Sequence, residues 1–237
     1  MDKLQKYKPT DKMIDLIGDN YSLLQVMSRF GLSLGFGDKT VKEVCEMNNV
    51  DCQTFLVVVN FMAEGFSRMD GSADDISIPA LVDYLRQAHI YFLDYCLPAI
   101  RRKLIEAIDC SQDDVSFLIL KFFDGYMREV RKHMEYEEKT VFKYVDTLIH
   151  GNAPKNYQIS TFSKHHDQVG ERLTELKNII IKYCPAKANT NVLNAALFDI
   201  YACEEGLESH CKVEDYLFVP AILKLERRNK QIIFYFA

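Results

Sequence analysis

Glycine and proline are scarce: ten and six among 237 residues, and they cluster between apolar stretches rather than inside them. That scarcity argues against a fold of many short strands joined by tight turns and favours long helices. No apolar run reaches membrane-spanning length, so no transmembrane helix is expected. No export signal is expected either, since Met1 to Lys8 is polar. The seven cysteines show no paired spacing. With that polar start, they predict reduced thiols in the cytoplasm rather than a disulfide framework. Cys45, Cys52, Cys96, Cys110, Cys184, Cys203 and Cys211 then read as small buried hydrophobes. A basic excess is also lacking. A formal net charge of −5 gives no electrostatic footprint for nucleic acid or an anionic membrane.

What is present is a globular composition, 48% hydrophobic and 27% charged. The pattern divides at residues 66–77, which lose apolar periodicity and carry the turn signal Asp70-Gly71. Residues 1–65 hold short periodic runs near 11–18, 21–30, 40–48 and 51–64, broken by Gly31, Gly35 and Gly37. They predict a small helical domain. Residues 78–228 predict four long helices, over about 78–109, 112–150, 160–183 and 189–228. Ser77 caps the first, with Pro79 in its first turn, and Ser111 caps the second; Pro98 and Pro220 should kink the first and fourth. Short connections make this all-α chain an up-down-up-down four-helix bundle behind a small N-terminal domain. Residues 229–237 form an apolar C-terminal tail that docks on the bundle.

Only six histidines occur, and their spacing is informative. His133 precedes Glu137 by four residues, and His210 precedes Glu214 by four. On a helix that offset places both side chains on one face, roughly 6 Å apart along the axis. His89 lies on the first helix and His165 and His166 on the third. His89 to His133 spans 44 residues, as does His166 to His210, and the two pairs repeat at 77. The bundle therefore reads as two hairpins, each supplying one His from its first helix and a His-x-x-x-Glu from its second. Four imidazoles and two carboxylates would meet in one interior. Two carboxylates can bridge two metal ions, and imidazoles complete each coordination sphere while leaving positions open. Mixed nitrogen and oxygen donors suit iron, with manganese or zinc as alternatives on the same atoms.

These motifs resemble those of the hemerythrin-like proteins, and within them the repair-of-iron-centres group. His89 lies nine residues before Pro98, as in the family's first-helix motif, and His133-Met-Glu-Tyr-Glu137 is similar to its second. His166-Asp167-Gln-Val-Gly170 resembles the third, which selects His166 over His165. His210-Cys-Lys-Val-Glu214, with Pro220 behind it, resembles the fourth. The resemblance covers about residues 78–225. It implies His89, His133, His166 and His210 as terminal ligands and Glu137 and Glu214 as bridges between two non-haem, oxo-bridged iron ions. Asp215 is a rival to Glu214, because the oxygen carriers use an Asp five residues after the His. Gly170 stands where those carriers have a further His, which points away from reversible oxygen carriage.

Val26 to Asp38 resembles the N-terminal domain of the same group, except that Gly35 and Phe36 occupy the positions of its adjacent cysteines. The implied function is iron–sulfur cluster repair in nitrosative or oxidative stress, through iron delivery or reaction with peroxide, oxygen or nitric oxide. Iron–sulfur proteins would be its partners. The alternative is an oxygen or nitric oxide sensor signalling through the N-terminal domain. Tyr91, Tyr95 and Tyr136 lie near the ligands and read as core aromatics, and His150 as a helix-end residue.

Overall fold

In a computed structural model, the chain is described over residues 6–64, 76–108, 114–151, 157–164, 168–185 and 188–236, without side chains at 163, 164, 168–171 and 230–236. Four short helices come first: α1 Met13–Asp19, α2 Leu23–Arg29, α3 Val41–Met47 and α4 Cys52–Glu64. The bundle helices follow. The first is α5 Ile78–Ile90, a π-helical segment π1 Tyr91–Cys96, and α6 Leu97–Ala107. The second is α7 Asp114–Tyr136, π2 Glu137–Val141 and α8 Phe142–Ile149. A 3₁₀ segment at Ile159–Lys164 precedes α9 Gln168–Tyr183, and α10 Thr190–Val213, π3 Glu214–Phe218 and α11 Val219–Phe236 form the fourth. The architecture is thus a helical bundle behind an N-terminal helical part, as the sequence predicts. Among the described residues, no helix is long and apolar enough to cross a membrane.

Internal contacts group the chain into two units, one of residues 1–88, 147–155 and 212–237, the other of 89–146 and 156–211. In the first, Met13, Leu16, Leu23, Val26, Val41, Val44 and Phe55 to Val59 are buried. Thr40 starts α3 with a capping box, its hydroxyl accepting from the Glu43 amide while the Glu43 carboxylate accepts from the Thr40 amide. Asn60, buried on α4, closes a two-bond clasp on Tyr7: the Tyr7 amide donates to Oδ1 at 2.8 Å, and Nδ2 donates to the Tyr7 carbonyl at 3.0 Å. Gly35 and Gly37 turn the chain before α3 with φ of 87° and 63°, where a β-carbon would be strained. Ser77 caps α5 as expected, accepting from the Ala80 amide at 3.4 Å.

In the second unit, the core is built from stripes at three- and four-residue spacing. On α7 these are Ile119, Phe123, Tyr126, Val130 and Met134; on α9, Leu173, Leu176 and Ile180; on α10, Ala196, Ile200, Cys203 and Leu207. The next positions on the α7 and α10 stripes are Glu137 and His210, both buried. Polar groups thus occupy places where the pattern would put another leucine.

Two boundaries differ from the sequence reading. The fourth helix runs on to Phe236 instead of ending near Arg228, because nothing in Gln231 to Phe236 breaks a helix. The third opens with a 3₁₀ segment, Ile159–Lys164, where a regular α-helix was expected. At the two expected kinks, π1 and π3 each end two residues before Pro98 and Pro220. A proline ring clashes with the carbonyl four residues back, and a widened turn there relieves it. No proline follows π2, so that segment has another cause. Cys45, Cys96 and Cys203 are buried and Cys52, Cys184 and Cys211 half-buried, which fits packing thiols. Ser111, Cys110 and most of the 66–77 linker lie outside the described residues.

Candidate metal centre

His89 sits in the last turn of α5, His133 in the last turn of α7, and His210 near the end of α10. Glu137 and Glu214 are the first residues of π2 and π3. Both carboxylate side chains are completely buried, and His89 and His210 are at most 3% exposed. Ligand-type atoms of His89, Glu137, His210 and Glu214 all lie within 4.8 Å of one another. Asp215, the rival to Glu214, is half-buried and outside this group.

Glu137 is the hub. Its Oε2 is 2.9 Å from His89 Nε2, and its Oε1 is 2.8 Å from His133 Nε2, so each oxygen faces a different imidazole. Burial alone would raise this carboxyl, but hydrogen bonds from His133 and His89, with the nearby His210, hold it below the usual carboxylate range. His89 is gripped from its other side as well: Nδ1 lies 3.0 Å from Glu138 Oε1. Phe142 stacks on the His89 ring at 5.5 Å and 11°. Phe92 meets the His210 ring edge-on at 6.0 Å, and the His89 and His210 rings are 5.2 Å apart. These aromatic rings pack against the two imidazoles.

A family model for the hemerythrin HHE cation-binding domain matches residues 80–222, well over half of the chain. The chain belongs to the hemerythrin family. No curated protein matches it.

For a hemerythrin-family site, the donor spacing is a direct test of fit. Two donors each about 2.1 Å from one ion and about 90° apart around it are separated by about 3.0 Å. The His89–Glu137 and His133–Glu137 separations of 2.9 and 2.8 Å are those of hydrogen bonds and lie close to that size, so an ion could replace the shared protons with little movement of the donors. Two fully buried carboxylates beside two buried imidazoles also carry a charge that only protons or cations can offset at this depth. The residues present therefore fit a bound metal.

Of the other sequence candidates, His165 and His166 lie outside the described residues, and His150 is exposed at the end of α8. Sequence reasoning missed Glu138, Phe142 and Phe92. On a regular helix, neighbouring residues point about 100° apart, so adjacent positions are not expected to reach the same ring. The two glutamates instead hold opposite nitrogens of one ring, which no spacing rule discloses.

Proposed function

We propose that this hemerythrin-family chain is a non-haem di-iron protein whose metal ligands are His89, His133, Glu137, His166, His210 and Glu214. The observation that carries this reading is the Glu137 carboxylate, whose two oxygens address two different imidazoles as a carboxylate shared by two ions would. When bound, the iron pair would supply redox chemistry and open positions for oxygen, nitric oxide or peroxide. The chain's own groups prepare that site. Glu138 holds the Nδ1 side of His89, so Nε2 is already aimed inward for a metal that displaces the proton it shares with Glu137. Glu137 stays ionised, and Phe92 and Phe142 pack against the two imidazoles.

The same reading extends to cellular role. With Gly170 in place of a further imidazole, the site is better suited to a reactive or labile iron pair than to oxygen carriage. That favours service in nitrosative or oxidative stress, by delivering iron for cluster repair or by consuming a small oxidant. Metal analysis of protein purified without oxygen, with absorption recorded on exposure to air, is the test. The expected result is about two irons per chain and a new near-ultraviolet band in air. Wild-type iron binding by both His133→Ala and Glu214→Ala would sink the assignment.

A further inference from the structure

Beside the cluster, and outside its ligand set, three tyrosines meet. Tyr144 of α8 and Tyr157 pack with ring centroids 4.8 Å apart at 61°, and the Tyr157 hydroxyl lies 3.4 Å from that of Tyr136. Tyr144 is buried and Tyr157 half-buried, so the pair is shielded from tyrosines of other molecules. One short route leads from the donor cluster to these rings. Tyr136 is the chain neighbour of Glu137 and touches Tyr157 through its hydroxyl. Burial, and then the Tyr136 contact, push the Tyr157 phenol up, so it keeps its proton at neutral pH.

Phenols are among the most easily oxidised side chains, and two held ring to ring can each lose one electron and one proton and then couple. We infer that Tyr144 and Tyr157 form an oxidative cross-link site, a dityrosine pair charged by peroxide at the neighbouring metal centre. The balance is complete. The peroxide O–O bond breaks and takes two electrons and two protons from the two phenols, yielding two waters. One carbon–carbon bond forms between ring positions ortho to the hydroxyls. The product joins the start of the third-helix region to α8 and marks a chain whose centre has met more oxidant than its iron could reduce. This inference rests on the di-iron reading.

The test uses full-length, iron-loaded protein whose iron content is measured first, then treated with hydrogen peroxide. Expected are dityrosine fluorescence and a Tyr144–Tyr157 cross-linked peptide lighter by two hydrogens, in monomeric protein. Tyr157→Phe and Tyr144→Phe should each abolish that peptide, whereas Tyr95→Phe, at an exposed position, should leave it unchanged. If peroxide alters the iron absorption but no such peptide forms, the inference fails and the metal reading stands. It also fails if the cross-link forms equally in iron-free protein, or only between chains. A chain that takes up no iron overturns both.

Discussion

Glu138 offers the sharpest test of how the site is held. Its carboxylate lies 3.0 Å from Nδ1 of His89, the nitrogen that faces away from Glu137. Removing a carboxylate that orients a ligating histidine typically costs about 10–100-fold in metal affinity. Glu138 is 36% exposed, so water screens part of its effect, and the lower end applies. Glu138→Ala should weaken iron binding about tenfold, or about 1.4 kcal/mol. Glu138→Gln keeps an acceptor but loses its charge and should fall between Ala and wild type. The assay is anaerobic competition against a chromophoric iron chelator, with circular dichroism to show that helix content is intact. An Ala variant that holds iron as tightly as wild type would refute the idea that Glu138 sets the His89 tautomer. So would a Gln variant weaker than Ala.

Asn60→Ala should destabilise the fold by about 1–3 kcal/mol in urea denaturation, because the Tyr7 amide and carbonyl both lose their buried partner. Arg101 grips both oxygens of Asp124, at 2.6 and 3.1 Å, and this pairing lowers the Asp124 pKa below the ordinary 3.8. A lowered folded-state pKa stabilises at pH above the ordinary value and loses that contribution as pH falls through the folded one. Asp124→Asn should therefore cost no more than about 1 kcal/mol at neutral pH, and the gap to wild type should close in acid denaturation below pH 3.8.

Much of this molecule was legible before any coordinates. The runs at 11–18, 21–30, 40–48 and 51–64 became α1 to α4 because amphipathic spacing is enough to mark short packed helices. His89, Glu137, His210 and Glu214 came together because their spacing puts them on core stripes, and a buried polar residue on such a stripe is costly without a partner. The π segments were not legible, though a trace of them was present. Phe92, Cys96, Ile100 and Leu104 are all buried at a constant spacing of four. On an unbroken α-helix those twelve residues would drift about 120° around the axis; with one residue absorbed by a wide turn, the drift is about 20°. Glu138 was beyond reach for the same reason, since its direction depends on the wide turn it sits in.

The wide turn at Glu137–Val141 also holds one residue more than a regular helix needs there. Delete Lys139 or Thr140 and the helix can close into regular α form, with everything from Phe142 onward in the same phase against Tyr136. Phe142 then keeps its place on the His89 ring. The same deletion made a turn later, inside α8, has no wide turn to absorb it and rotates all that follows by about 100°. Loss of one residue should therefore be tolerated within these five positions and not beside them.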